Sequence, residues 1–319
     1  MTHLDPAATA EHFKIRLPAT TANLGPGFDA VALAMTLYLE VEAGAAAEFS
    51  IDASGRNADI CGSLENNLLI QTYCDVLRDR APVIPLALTV QNGIPLGMGC
   101  GSSAAVILAG IALANHFGSL GWSGDQVLAE ACEREGHPDN AAACWLGGFT
   151  AAAMEEGRVH AVRLATAPAW KLMLVLPSKS LATKTARGLL PDSYSRRDTV
   201  FNVQRVALLT AAFAESRADL LHVAMRDHIH QPYRMEVCPL LERLLPLADG
   251  AASSPAYPRS VGIAGVALSG AGPAVLLVLE EGASTKDARD SVSGLVGSTE
   301  DVEIIVCEIE SGTGFERHI

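Results

Sequence analysis

Apolar and polar residues along the first half of the chain follow two different periods. Short apolar runs predict strands at 13–19, 86–91 and 146–153. Apolar positions that recur every three or four residues predict helices at 66–80, 103–116 and 124–135. Residues 31–42 predict a short helix and then a strand that enters 48–53. Polar residues with Gly and Pro predict loops at 20–29 and 136–140.

The pattern of residues changes near 165–170, before the predicted strand at 172–176, and we place a domain boundary there. The N-terminal domain is then 1–167 and the C-terminal domain 168–319. Predicted strands in the second domain are 172–176, 265–268, 275–279 and 302–308. Predicted helices are 200–215, 219–227, 238–247 and 287–296. Both halves mix helices and strands, so the fold class is α+β.

Charge and cysteine content restrict the partners and the compartment. The 319 residues carry a formal charge of -13, so the chain as a whole does not attract nucleic acid or an anionic membrane. The longest apolar helical run, 104–114, is too short to span a bilayer, and no secretory signal precedes it. Seven scattered cysteines without a Cys-x-x-Cys pair favour reduced thiols. We therefore expect a cytoplasmic protein that holds anionic ligands by local groups.

Alternating glycines at Gly97, Gly99 and Gly101 are followed by two serines and an apolar helix. A helix start leaves N–H groups without intrahelical partners and carries partial positive charge, so a polyphosphate is favoured there. The loop lacks the Lys of a Walker motif and the third Gly of a dinucleotide motif. It is a candidate phosphate-binding loop, although a glycine-rich turn before a buried helix remains the alternative.

Candidate carboxylates lie at the end of the predicted helix 124–135 and just after it. Glu133 lies near the helix end, and carboxylates with a hydroxyl such as that of Ser103 suit Mg²⁺. Asp139 could orient an attacking alcohol or accept its proton. His137 could bind substrate or make a structural hydrogen bond.

Other polar groups suit a small zwitterionic or anionic ligand. Asn23 and Asp29 occupy the predicted first loop and can receive an ammonium or hydroxyl group. Arg187 and Arg234 lie on separate segments and could grip one carboxylate, with ordinary surface salt bridges as the alternative. Residues 269–273 join two apolar strands and could pack against the glycine loop or substrate, or form a plain hairpin.

Five segments carry these candidates in order along the chain. They are Pro-Ala-Thr-Thr-Ala-Asn-Leu-Gly-Pro-Gly-Phe-Asp (18–29), Gly-Met-Gly-Cys-Gly-Ser-Ser-Ala-Ala (97–105), Glu-Gly-His-Pro-Asp-Asn (135–140), His-Gln-Pro-Tyr-Arg (230–234) and Ser-Gly-Ala-Gly-Pro (269–273). Together they resemble the GHMP kinase superfamily and, within it, the homoserine kinase family. The resemblance covers nearly the whole chain. Two departures, Cys100 in place of Leu and Ala141 to Cys144 in place of an Ala-Pro pair, look like packing changes.

The resemblance implies transfer of the ATP γ-phosphate to the side-chain hydroxyl of L-homoserine, on the route to threonine. It implies a ribosomal protein S5 domain 2-like N-terminal domain, a ferredoxin-like C-terminal domain and a homodimer. Implied ATP-binding residues are Asn67, Pro95, Gly97, Gly99, Cys100, Gly101, Ser102, Ser103 and Ala104. Implied substrate-binding residues are Asn23, Asp29, His137, Asp139, Thr183, Arg187, Arg234 and Gly270.

Ser103 and Glu133 would hold Mg²⁺ and, with Asp139, form the catalytic set. Glu135 is only two residues from Glu133, and on a helix only one of the two side chains should reach the metal. The alternatives are another small-molecule kinase of the superfamily, such as a mevalonate-type enzyme, and a catalytically silent binding protein. Mevalonate lacks the amine that Asn23 and Asp29 could receive.

Overall fold

The computed structural model describes residues 12–165, 168–248, 262–297 and 301–311, which form two sheets covered by helices. Strands of the first sheet are β1 (His12–Asn23), β2 (Gly27–Ala45), β3 (Ser50–Gly55), β4 (Leu86–Asn92), β5 (Phe149–Glu155) and β6 (Arg158–Arg163). Helices of this part are α1 (Ala58–Cys61), α2 (Leu68–Leu77), α3 (Ser102–Phe117), α4 (Gly124–Glu135) and α5 (Asp139–Leu146). The strand order is β3-β4-β2-β5-β6, and β1 pairs with β2.

Burial explains most of these elements. β1 alternates Phe13, Ile15 and Leu17, all buried, with more accessible residues, as expected of a strand with one face on the core. Helix α3 is apolar on all sides and almost wholly buried, because α2, α4, α5 and β1 surround it. Its N-terminus is thereby fixed at one end of β1.

The helix predicted within residues 31–42 is wrong, because β2 is one strand of 19 residues. β2 pairs with β1 along one edge and with β5 and then β4 along the other. Residues Val31 to Met35 are buried on both faces, so the period of two that identifies a strand is lost there. The predicted loop at 20–29 is also mostly strand, with a turn only at 24–26.

The segment after α4 differs from the prediction as well. Residues 139 and 140 belong to α5, so the predicted loop at 136–140 is shorter than expected. β6 and the short helix α1 have no counterpart in the prediction. The exposed positions of β6 alternate with half-buried ones, which leaves little apolar pattern to recognise.

The second sheet contains β7 (Lys171–Pro177), β8 (Ile263–Leu268), β9 (Val275–Leu279) and β10 (Val302–Glu308) in the order β10-β7-β9-β8, all antiparallel. Its helices are α6 (Thr183–Arg187), α7 (Arg196–Ala214), α8 (Leu221–Ala224), α9 (Gln231–Arg234), α10 (Pro239–Leu244) and α11 (Thr285–Val296). Helices separate β7 from β8 and β9 from β10, which is the β-α-β-β-α-β order of a ferredoxin-like domain. The expected α+β class is confirmed.

β7 joins the cores of the two halves. Leu172, Leu174 and Leu176 face a core shared with the first sheet, whereas Met173 and Val175 face a second core under α10 and α11. The predicted boundary after residue 167 falls beside residues outside the described part and stays a prediction. Within the described ranges, no helix has the length and apolar character needed to cross a bilayer.

Candidate active site

The glycine loop enters α3 in a conformation that requires glycine. Gly97, Gly99 and Gly101 have φ values of 67°, 75° and 68°. A Cβ on Gly101 would lie 1.8 Å from Oγ1 of Thr20, and one on Gly99 would lie 2.0 Å from the carbonyl oxygen of Ser269. The loop therefore packs directly on β1 and on the turn after β8, with the free N–H groups of α3 at its end.

A cleft of about 610 Å³ opens in front of this loop. It brings together residues from both sheets that are far apart in the sequence. The lining residues are Asn23, Phe28, Asp29, Gly97, Gly99, Cys100, Gly101, Ser102, Ser103, Glu135, His137, Asp139, Asn140, Leu181, Arg187, Arg234, Gly270 and Ala271. Burial raises the pKa of the Cys100 thiol to about 12, so this cysteine fills space and is not a reactive thiolate.

An ion pair forms one wall of the cleft. Arg187 donates through Nη1 and Nη2 to the two carboxylate oxygens of Asp29, at 2.9 and 2.6 Å. The amide oxygen of Asn23 accepts from the backbone N–H of Asp29 at 3.0 Å, and its amide nitrogen donates to the Gly270 carbonyl at 2.9 Å. These bonds hold Asp29 and Asn23 beside the segment 269–273, as its glycines suggested.

Asp139 lies at the start of α5, close to Asp29, with 2% of its surface exposed. Its Oδ1 is 2.6 Å from Nδ1 of His137 and accepts from the backbone N–H of Asn140 at 2.7 Å. Thr20 donates to the Asn140 side-chain oxygen at 2.7 Å, so β1 fixes this group as well. One carboxylate oxygen of Asp29, one of Asp139 and one ring nitrogen of His137 lie within 4.8 Å of one another.

Neighbouring carboxylates raise the pKa of His137 more than burial lowers it. Burial alone lowers the pKa of this imidazole, but the hydrogen bond to Asp139 and the charges of Asp139 and Glu135 raise it above its ordinary value. The Asp139 carboxylate therefore stabilises the protonated form of the His137 ring relative to an isolated imidazole.

Arg234 reaches the cleft from α9 with 1% of its surface exposed. It donates from Nη1 to the Gly270 carbonyl at 3.2 Å and from Nε to the Ala186 carbonyl at 3.4 Å. The Phe28 ring lies 5.5 Å from the guanidinium carbons of both Arg234 and Arg187. Burial, followed by the charge of Arg187, lowers the pKa of Arg234. Two guanidinium groups at one ring make this end of the cleft suited to a carboxylate.

The carboxylate beside the glycine loop is Glu135, whereas the role of Glu133 as a metal ligand stays a prediction. Ser103 donates from Oγ to Glu135 at 2.6 Å, and both residues line the cleft. Glu133 is exposed and lies outside the cleft lining. Residues two apart on a helix point about 200° away from each other, and α4 ends at Glu135 with Gly136 in the left-handed conformation. The two side chains therefore point in different directions, and that of Glu135 meets Ser103.

Known proteins with related sequences share nearly the whole chain. The family model described as the GHMP kinases N terminal domain matches residues 67–148. Homoserine kinase from Solibacter usitatus is 43% identical over 278 residues, which cover 86% of this chain and 88% of that protein. The chain belongs to the homoserine kinase family. Homoserine kinase from Streptomyces avermitilis is 40% identical, over 89% of this chain and 91% of its own length.

A solved member of the homoserine kinase family has the same fold. The crystal structure of homoserine kinase from Cytophaga hutchinsonii superimposes with a TM-score of 0.77 and covers 97% of this chain and 98% of that one. Sequence identity between the two is 22%, so this likeness concerns the fold. The architecture that the sequence resemblance implied is confirmed.

A second, larger groove of about 1360 Å³ begins at Ser102 and Ser103 and runs away from the cleft. Its walls are largely apolar, with Ile51, Val90 and Val106 among the lining residues. A flat heteroaromatic base suits such walls. The groove and the cleft meet only at the start of α3.

Asn67 lines the groove, but its amide group is already engaged. Its oxygen accepts from the backbone N–H groups of Leu69 and Ile70, at 3.1 and 3.3 Å, and caps α2. Its nitrogen donates to the carbonyls of Cys61 and Ser63, at 3.2 and 2.9 Å. Asn67 therefore caps α2 and forms part of the groove wall, and its contact with a base stays a prediction.

Two residues predicted to bind ATP are not among the described residues that line the cleft or the groove, and their role stays a prediction. Pro95 lines a different hollow, together with Arg56, and has no N–H to offer a phosphate. Ala104 is fully buried inside α3, so only its backbone N–H is directed toward the helix start. Thr183 begins α6, and its side chain lies outside the described residues.

The sequence reasoning missed several residues that line or support the cleft. Phe28 and Asn140 directly adjoin the predicted Asp29 and Asp139, so the same motifs could have indicated them. Thr20 lies in the first motif and contacts both the loop and Asn140. Leu181 had no sequence signal, since an isolated apolar residue before a short helix is common.

Proposed function

We propose that the chain transfers the γ-phosphoryl group of ATP to the side-chain hydroxyl of L-homoserine, giving ADP and O-phospho-L-homoserine. One observation carries the proposal: the start of α3 lies between an apolar groove and a cleft lined by the Asp29–Arg187 pair, Arg234 and Asp139. A nucleotide in the groove would thus present its terminal phosphate to an alcohol in the cleft.

ATP would place its phosphates against the loop from Gly97 to Ser103. Backbone N–H groups at the start of α3 donate to phosphate oxygens, and the helix dipole favours their negative charge. The base would enter the apolar groove beside α2. This arrangement explains how a chain with a net charge of -13 binds a polyanion without a lysine in the loop.

Homoserine would bind as a zwitterion. Arg234, assisted by Arg187, would receive its carboxylate through Nη2, because Nε and Nη1 already donate to the Ala186 carbonyl, the Gly270 carbonyl and His230. Asn23 and Asp29 would receive its ammonium group. The four-carbon chain would then direct its hydroxyl toward Asp139 and the glycine loop.

Asp139 would orient the attacking hydroxyl. Its Oδ1 is occupied by His137 and Asn140, which leaves Oδ2 to accept from the alcohol O–H. Phosphoryl transfer proceeds through a loose transition state that asks mainly for positioning and charge neutralisation. As the bond from the hydroxyl oxygen to the γ-phosphorus forms and the bond from that phosphorus to the ADP oxygen breaks, the hydroxyl proton would pass to Asp139, which His137 and Asn140 hold in place.

Magnesium fits the same place. The Ser103 hydroxyl and the Glu135 carboxylate are oxygen ligands 2.6 Å apart at the start of α3, and Mg²⁺ takes one or two carboxylates together with phosphate oxygens. When bound, the ion would neutralise charge on the transferred phosphate.

A coupled assay of ADP release tests the function. Homoserine should give a kcat/KM at least tenfold above those of L-threonine, L-serine and mevalonate, and mass spectrometry should find one added phosphate on homoserine. Preference for mevalonate would establish the mevalonate-type alternative. ADP release with none of the four would support the silent binding protein.

We propose a cytoplasmic homodimer, as the family resemblance implies. Size-exclusion chromatography with light scattering should give twice the chain mass of 33.4 kDa. A mass of one chain would refute the dimer without affecting the proposed reaction.

A further inference from the structure

His230 lies behind Arg234 and does not line the cleft. The imidazole is completely buried. Its Nε2 is 2.7 Å from the carbonyl oxygen of Gly25, in the turn between β1 and β2. Its Nδ1 is 3.2 Å from Nη1 of Arg234. One ring therefore connects the turn next to Asn23 with the guanidinium at the far end of the cleft.

The two contacts define the tautomer of the ring. A carbonyl oxygen only accepts, so Nε2 must carry the hydrogen that points at Gly25. In the neutral ring, Nδ1 then has a lone pair, which accepts from Arg234. Burial lowers the pKa of His230; the charge of Asp227 opposes this shift, and that of Arg234 adds to it. The ring is thus a neutral acceptor for Arg234.

The backbone of His230 is also fixed. Asp227 accepts from the backbone N–H groups of Ile229, His230 and Gln231, at 2.9, 2.9 and 2.6 Å. Asn202 donates to the same carboxylate at 2.6 Å. The imidazole therefore has little freedom to move, and it can impose an orientation on a flexible arginine.

We propose that His230 is a positioning residue for the substrate carboxylate: its Nδ1 holds the Arg234 guanidinium in the orientation that meets the carboxylate, and its Nε2–H ties that orientation to the β1–β2 turn. The proposal rests on the proposed function for the identity of the substrate. Arg234 also donates to the Gly270 carbonyl. The Phe28 ring lies beside both the guanidinium and the imidazole, with its centroid 5.4 Å from that of the His230 ring. Without the Nδ1 acceptor, Nη1 would keep only the Gly270 carbonyl among its described partners, and one of its two hydrogens would be left without an acceptor.

Two substitutions test the two hydrogen bonds of the His230 ring one at a time. His230→Asn keeps an acceptor at the position of Nδ1 and loses the donor to Gly25. His230→Gln keeps a donor at the position of Nε2 and loses the acceptor for Arg234. We expect His230→Gln to raise the homoserine KM about tenfold, the cost of one hydrogen bond to a charged group. The KM for ATP should stay within twofold in both variants, and His230→Asn should restore most of the homoserine affinity.

Crystal structures of the two variants supply a readout that needs no activity. Arg234 should leave the Gly270 carbonyl in His230→Gln and keep it in His230→Asn. An unchanged homoserine KM and an unchanged Arg234 in His230→Gln would overturn the proposal. Equal losses in both variants, with equally lowered melting temperatures, would also overturn it and assign a packing role. If the wild-type chain does not phosphorylate homoserine, the proposed function fails, whereas the orientation of Arg234 still decides the role of His230.

Discussion

Glu135→Gln removes one negative charge beside the glycine loop and keeps the length of the side chain. Ser103 donates to Glu135 at 2.6 Å, so both oxygens would face the same magnesium ion. A contact to a charged group is worth about 1.5–3 kcal/mol, and 1.36 kcal/mol corresponds to a factor of ten in rate. We therefore expect kcat/KM for MgATP to fall about 10- to 150-fold.

Initial rates measured against Mg²⁺ concentration at fixed ATP check this expectation. The concentration for half-maximal rate should rise in Glu135→Gln, because the ion loses one carboxylate ligand. Glu133→Gln is the matched control, since it removes the same charge two residues earlier, at an exposed position. Its rates and magnesium dependence should stay within twofold of the wild type. Thermal unfolding of both variants should match that of the wild type.

The opposite pattern would refute the geometric argument. If Glu133→Gln lost activity and Glu135→Gln retained it, the end of α4 would have to rotate when nucleotide binds. The hydrogen bond between Ser103 and Glu135 would then be a helix contact without a role in catalysis.

The remaining predictions concern Asp139, Arg234 and His137. Asp139→Asn should lower kcat at least tenfold and change the KM for ATP less than twofold, as measured by ADP release. Arg234→Lys should raise the homoserine KM about tenfold in the same assay, because the single nitrogen of an ammonium cannot span the Ala186 carbonyl, the Gly270 carbonyl and the substrate carboxylate. Because the pKa of His137 is raised on folding, its stabilising contribution is present below about pH 6.5 and is lost as the pH rises through the folded pKa. Urea unfolding at several pH values should show this loss in the wild type and not in His137→Gln.

The sequence predicted the parts of the site that depend on local chemistry. Alternating glycines before an apolar helix need special backbone angles, and the structure has them at Gly97, Gly99 and Gly101. The motif around Asp139 and the two arginines contain residue types that few other roles require. Their convergence on one cleft could not be derived from composition, because it depends on how β7 and its helices pack against the first sheet.

Two physical causes limit how much of the fold and of the site the sequence predicts. The period of a strand disappears when both faces are buried, as in β2, so a helix was predicted there. Glu133 and Glu135 both belong to α4, and which of them faces Ser103 depends on how the helix is rotated against α3. Asn67 shows a related limit, since its capping bonds are visible only once the loop before α2 is placed.

Charge balance within the cleft favours a zwitterion over a simple carboxylate. Arg187 is already neutralised by the two oxygens of Asp29, so, of the two arginines among the described lining residues, Arg234 is the one not paired with Asp29. An amino acid brings one negative and one positive group, and its ammonium would compete with Arg187 for Asp29. Arg187 would then be released to join Arg234 on the substrate carboxylate. Mevalonate offers no ammonium, so it would leave the Asp29–Arg187 pair closed and would meet one arginine instead of two.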